Sequence, residues 1–285
     1  MTARSPGGLG AIAPVRLPEP VALFTRRAER LEALSRGHAT FDWLALLARI
    51  ARGQAVAARE IRPAVEGFAP GVPRPLEPSK VQRADTCRRM LGVILGAVRS
   101  GDLPEPARRA VEGLGDSSAA RIHSLEEDVL EGGVAAESLA AAPFVAAALQ
   151  AQFASLAARL VPGEVPPSAQ GCPVCGSPPI AGTVHGDDRL RYLACSLCGT
   201  GWHLPRVHCA LCRGTAGLSY FAVDGTEGAR AEACDRCRAY VKQFDLAKLP
   251  GAEPLADDAA SLALDVLMAE EGFGRGGANL LVAAG

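Results

Sequence analysis

The chain has 285 residues, 48% of them hydrophobic, enough for one large core or for one core and a smaller module. Its formal net charge of −1 argues against the broad basic footprint of a nucleic-acid-binding chain. Aromatics make up only 5%, while alanine and leucine are abundant, a composition that favours helices over sheets.

Residues 1–18 contain MTARSPGGLGAIAPV, with no sustained apolar run behind the first arginine. No secretory signal is read there, and the stretch is expected to be disordered. The least polar interior stretch, Ala140 to Leu149, is too short to cross a bilayer. The expected compartment is the cytoplasm, where thiols stay reduced.

A helical pattern runs through residues 19–160. Val21, Phe24, Leu31 and Leu34 recur at helix-like spacing, and a second helix is predicted from Phe41 to Ile61, with Thr40 or Asp42 able to cap it. A Pro/Gly-rich break at 63–78 follows. Further helices are predicted at Ser79–Val98, carrying Cys87, and at 105–113, 117–131 and Ala135–Leu160, where Pro143 marks a start or a kink. This half reads as an all-helical bundle of five to seven helices. Residues 161–171, VPGEVPPSAQG, have linker composition.

Two tandem cysteine modules are expected next, at 172–206 and 207–246. Strands are plausible at Arg191–Ala194 and Leu218–Val223, where apolar and polar residues roughly alternate. The last segment, 247–285, contains DDAASLALDVLMAEEGF, read as one C-terminal helix. Asp257 can cap it, Leu262, Leu264, Val266 and Leu267 supply its apolar side, and Gly272 and Gly274 suit its end. The tail from Asn279 is expected to dock back on the body. The fold class is therefore α plus small β, with two rubredoxin-like or zinc-ribbon-like modules between a helical bundle and a C-terminal helix.

Eight of the nine cysteines form four Cys-x-x-Cys pairs within 66 residues: Cys172/Cys175, Cys195/Cys198, Cys209/Cys212 and Cys234/Cys237. Four thiolates make one tetrahedral metal site, so eight make two. The stretch reads as a duplication, with 19 residues between Cys175 and Cys195 and 21 between Cys212 and Cys234. A Cys-x-x-Cys turn points both sulfurs to one side, and its backbone N–H groups can donate to them. Two such turns joined by a hairpin complete a cage, and Gly176 and Gly199 suit the tight turns. The sequential pairing, 172/175 with 195/198 and 209/212 with 234/237, is expected. A crossed pairing stays open, because only ten residues separate Cys198 from Cys209. Such sites suit zinc or a single iron, an iron–sulfur cluster less well, and folding should be coupled to metal binding. A full set of four cysteines leaves no open position for metal-based hydrolysis.

Two other functions compete. A thiol–disulfide oxidoreductase would place a Cys-x-x-Cys after a strand and at the opening of a helix, and none of the four pairs clearly does so. For a zinc-ribbon nucleic-acid regulator, residues 171–248 hold nine Lys/Arg against seven Asp/Glu, and two four-thiolate centres of a divalent metal would turn that surplus negative. Arg189, Arg191, Arg206, Arg213, Arg236 and Arg238 could still cluster. His185, His203 and His208 lie near the cysteines, but with eight thiols available they are expected to support the sites and not to ligate. Trp202 and Tyr220 are expected in the small hairpin cores, and Cys87 as an ordinary buried thiol. No nucleophile elbow, P-loop or dinucleotide fingerprint is present, and no catalytic residue is assigned.

The stretches CPVCGSPP, LRYLACSLCGTGWHLPRVHCALC and EACDRCRAYVKQFD are similar to the signature of the FdhE family, the formate dehydrogenase accessory proteins. ADDAASLALDVLMAEEGF resembles that family's C-terminal helix. The resemblance spans roughly residues 170–275. It implies a cytoplasmic, non-enzymatic maturation factor that binds the catalytic subunit of a respiratory formate dehydrogenase before export. It also implies iron at two rubredoxin-type sites, with the eight paired cysteines as ligands and zinc as the alternative. Trp202, His203, Arg206, Asp257 and Asp258 belong to the same signature without an assigned role. The alanine- and arginine-rich helical half is where this chain departs from it.

Overall fold

A computed structural model describes residues 12–64, 71–168, 170–186 and 188–282. The helical half holds six α-helices among these residues: α1 (Pro20–Ser35), α2 (Phe41–Glu60), α3 (Ala84–Arg99), α4 (Glu105–Gly115), α5 (Ala119–Glu131) and α6 (Ala142–Ala157). Proline in the first turn starts α1, α4 and α6, where a missing N–H costs nothing. Ser118 caps α5 by accepting the Arg121 N–H, and Gly132, at φ 76°, ends it. Gly53 lets α2 approach α3, since a Cβ there would lie 3.0 Å from the Ile94 Cα.

α6 is the axle of the bundle. Each of its residues is buried, and its many alanines leave room for neighbours on every side. It is shorter than the predicted 135–160 helix, because Pro143 fixes its start and residues 136–138 form a separate 3₁₀ turn. The helix predicted from Ser79 likewise begins later, at Ala84, behind a 3₁₀ turn at Pro78–Lys80. None of the helices is long and apolar enough to cross a membrane among the described residues.

The cysteine region forms one mixed sheet of eight strands: β1 (Val15–Arg16), β2 (Pro179–His185), β3 (Leu190–Cys195), β4 (Gly201–His203), β5 (Leu218–Phe221), β6 (Ala229–Cys234), β7 (Ala239–Asp245) and β8 (Gly274–Arg275). The order is β1-β4-β3-β2-β7-β6-β5, with β8 also on β7. Each module contributes an antiparallel trio, β2-β3-β4 or β5-β6-β7. The trios join where β2 runs parallel to β7, from Ala181 opposite Lys242 to Val184 opposite Asp245. The tandem modules are thus fused through one hydrogen-bonded seam.

Several boundaries differ from the sequence reading. Residues 12–18 are not disordered: Val15 is buried, β1 pairs with β4, and the Pro14 and Ala13 carbonyls accept from the His203 N–H and the Tyr192 hydroxyl. Residues 1–11 lie outside the described residues. The 161–171 stretch is not a divider between separate bodies, because the helical half shares one core with Cys172, Val174, Cys195, Leu197 and Trp202. The single C-terminal helix is two, α7 (Pro254–Ala260) and α8 (Leu262–Glu270), broken at Ser261. Glu253 is the N-cap of α7, accepting from the Leu255 and Ala256 N–H groups at 3.1 and 2.8 Å, and Asp257 contributes from inside the helix by accepting the Glu253 N–H at 2.8 Å. The tail docks as expected up to residue 282: Asn279 donates to the Leu255 carbonyl and the Asp258 carboxylate.

Candidate metal centres

The four Cys-x-x-Cys turns are built alike. In three of them the carbonyl of the first cysteine accepts the N–H of the residue just after the second: Cys172 from Gly176 at 2.9 Å, Cys209 from Arg213 at 3.2 Å and Cys234 from Arg238 at 2.8 Å. That following residue is left-handed in every turn, with φ of 85° at Gly176, 69° at Gly199, 62° at Arg213 and 53° at Arg238. The first module fills the position with glycine and the second with arginine. Gly171 must also lack a side chain, because a Cβ there would lie 2.4 Å from the Gly176 carbonyl oxygen.

The turns meet in the sequential pairing. In each group all four sulfurs lie within 4.8 Å of one another. In the first, the Cys172–Cys198 and Cys175–Cys195 sulfurs are 3.5 and 3.3 Å apart. In the second, Cys209–Cys237 and Cys212–Cys234 are 3.8 and 3.7 Å apart. A metal–sulfur bond of about 2.3 Å gives a tetrahedron with edges of roughly 3.8 Å. All eight thiols are free. The donor set fits a four-coordinate soft metal in both places.

The surroundings suit bound thiolates as well. The Cys198 N–H points at the Cys195 sulfur, and the Leu211 and Cys212 N–H groups point at Cys209. The Ser177 and Thr200 hydroxyls lie 3.3 and 3.1 Å from the Cys175 and Cys198 sulfurs. Burial pushes the Cys172 and Cys198 thiols well above the usual range. Burial acts on Cys175 too, but hydrogen bonds from Cys172, Cys195 and Cys198 outweigh it and hold Cys175 well below. Cys212 is lowered to about 7, chiefly by the Gly214 N–H, whereas burial raises Cys237 to about 12.

No histidine joins either group among the described residues. The His203 ring meets the Arg191 carbonyl at 3.1 Å and the His208 ring meets the Arg213 carbonyl at 3.2 Å. His185 bonds Thr183 and packs edge-on against Tyr192. Trp202 is buried in the shared core. Tyr220 is instead 42% exposed, with its hydroxyl on Glu232 and Arg230 over its ring. Cys87 is fully buried, far along the chain from both groups, and burial raises its pKa. Of the other signature residues, Asp257 pairs with Arg30, and Asp258 with Lys242 and Arg275.

In the sequence, one central residue stands only as a strand position and a member of a possible arginine cluster. Arg191 on β3 reaches Glu232 on β6 at 2.5 and 2.7 Å and also donates to the Leu204, Pro205 and His208 carbonyls. It ties the two modules together above the β2–β7 seam. Nothing in LRYL, close behind an aspartate pair, marks it as the partner of a distant glutamate.

A helical bundle fused to a sheet with two four-sulfur cages defines a protein of the metal-binding class. Three consecutive segments of the FdhE family match: the N-terminal segment over residues 12–170, the central domain over 171–206 and the C-terminal domain over 207–282. The chain is 36% identical to the FdhE homologue of Edwardsiella ictaluri, covering 96% of this chain and 92% of that one. It is 37% identical to the Pseudomonas putida homologue over the same shares, and 34% identical to protein FdhE of Escherichia coli O127:H6 over 94% and 90%. The crystal structure of the FdhE protein from Pseudomonas aeruginosa superposes with a TM-score of 0.85 at 34% identity, covering 95% of this chain and 99% of that one. The chain belongs to the FdhE family and is an FdhE-type formate dehydrogenase accessory protein.

Proposed function

We propose that this protein acts in the cytoplasm, binding the catalytic subunit of a respiratory formate dehydrogenase and assisting its maturation before export. Cys172, Cys175, Cys195 and Cys198 ligate one iron, and Cys209, Cys212, Cys234 and Cys237 a second. The observation that carries the reading is the pair of preformed sulfur tetrahedra in a chain that matches the FdhE family along nearly its whole length. When bound, iron in such a cage supplies reversible one-electron chemistry. The protein's own residues hold the cages rigid, which lowers the ordering cost of meeting a client.

The competing functions draw less support. Every Cys-x-x-Cys lies in a turn between or at the ends of strands and none opens a helix, unlike a dithiol exchanger. Of the six arginines that could have formed a phosphate-binding stripe, Arg191 is buried on Glu232, Arg189 pairs with Asp245, and Arg213 and Arg238 donate to backbone carbonyls.

Two measurements test the reading. Anaerobic purification should give about two iron per chain, by the four-thiolate count, with a thiolate-to-iron visible spectrum. Stoichiometric zinc under those conditions would replace iron and remove the redox role. A pull-down with the catalytic subunit as bait should capture the intact chain and fail with Cys195→Ala/Cys198→Ala. Equal capture by that variant would refute the role of the first cage.

A further inference from the structure

We infer that the two cages differ in kind: the second is the exchangeable centre, and the first is a permanent staple of the fold. This inference rests on the metal-binding reading above and divides it between the two sites.

The sulfurs of the first cage are sealed. Cys172, Cys195 and Cys198 are 0% exposed and Cys175 is 2% exposed. Both of its turns are also bonded to the helical half. The Leu76 N–H donates to the Val174 carbonyl at 2.9 Å, inside the first turn. Gln150 of α6 donates to the Ser196 carbonyl at 2.7 Å, inside the second. The Gln150 side-chain oxygen in turn accepts from Gln54 at 2.9 Å and Arg27 at 3.4 Å. The Leu280 N–H of the C-terminal tail closes on the Ser196 hydroxyl. Val174 and Leu197, one in each turn, sit in the main core. Reaching these sulfurs requires the bundle to come away from the sheet, an opening of sub-global size.

The second cage is different. Cys212 and Cys237, one from each turn, are half-buried and not sealed, while Cys209 and Cys234 form the inner edge. An incoming donor can therefore meet a bound metal from one side without disturbing the core. Exchange there is ligand substitution. A metal–sulfur bond to Cys212 or Cys237 breaks as a bond from the incoming donor forms. The released thiolate takes a proton from water, and the metal keeps its oxidation state. The remaining sulfurs follow in turn. Such an opening is local and needs only the turn at 234–238 to yield, since Ala210 anchors the 209–214 turn in the main core.

The full chain, reconstituted with two equivalents of Zn²⁺, is challenged with excess 4-(2-pyridylazo)resorcinol at constant pH. Released metal is followed by absorbance and the helices by far-ultraviolet circular dichroism. One equivalent should leave at least about tenfold faster than the other, with no loss of helical signal in the fast phase. Brief alkylation of the one-metal intermediate, read by mass spectrometry, should label Cys209, Cys212, Cys234 and Cys237 and spare the other four. Cys212→Ser should abolish or accelerate the fast phase and leave the slow one unchanged. Release of both equivalents at one rate, or labelling of Cys172, Cys175, Cys195 or Cys198 in the intermediate, overturns the inference and leaves the metal-binding reading standing. Failure of the chain to retain either equivalent sinks that reading itself.

Discussion

Arg191 shows how much of this fold hangs on a single side chain. Its side chain is 0% exposed, and its five N–H groups have five protein contacts, two to Glu232 and three to carbonyls of residues 204–208. The Glu232 carboxylate also accepts from Tyr220 and Gln243. Removing one partner of a buried pair leaves an uncompensated charge, at a cost of about 3–5 kcal/mol. Arg191→Met should therefore lower the unfolding free energy from urea titration by an amount in that range, and Arg191→Lys by less, since lysine keeps the charge but has three donors in place of five. A stability for Arg191→Met within error of the parent would show that the pair does not hold the modules together. Lys242 repeats the theme on β7, where Asp258, Asp265 and two carbonyls surround its buried ammonium.

At the scale of the element, the cysteine turns were legible in the sequence because everything that defines them is local. Spacing fixes the sulfur pair, and the residue after the second cysteine must adopt a left-handed conformation. That need was visible at Gly176 and Gly199 and hidden at Arg213 and Arg238, where anchored side chains accompany the strained backbone: Arg213 donates to Ser168, and Arg238 to Glu271 and Gly272. Gly199 makes the rule testable. Its φ is 69°, and a Cβ there would lie 2.6 Å from a Leu23 methyl group. The left-handed conformation alone costs an L-residue about 1–2 kcal/mol. Gly199→Ala should destabilise the chain by at least that much and weaken metal retention by the first cage, as measured by thermal melting and by metal content after gel filtration. Unchanged melting would mean that the turn relaxes freely. Other elements gave no such local mark. β1 is only two residues long, and Ser261 splits the C-terminal helix without a glycine or proline to announce it. β2, PIAGTVH, is buried on both faces and lacks the alternation that reveals a half-exposed strand.

For the molecule as a whole, the composition at 161–171 pointed to a linker between separate domains, and the structure has a shared core across it instead. The reason lies in pairings distant in sequence, which periodicity does not encode. β2 and β7 associate in parallel although far apart along the chain, Arg27 and Arg30 of α1 clasp Glu253 and Asp257 of the α7 region, and Gln150 reaches Ser196. The last two ties join the helical half to the cysteine half and the C-terminal helices, and Trp202 is buried in the same cluster as Leu47, Ile94 and Phe153. The helical half and the first cysteine module, which share this main core, should unfold as one unit. Helical dichroism at 222 nm should therefore lose half its amplitude at the same urea concentration as tryptophan fluorescence, in the metal-loaded protein. Replacing the clasp with Arg27→Met/Arg30→Met leaves Glu253 and Asp257 buried without their guanidinium partners. That change should shift both curves together to lower urea, with no splitting between them. Two separated midpoints in the parent chain would restore the linker reading and make the cysteine half a domain of its own.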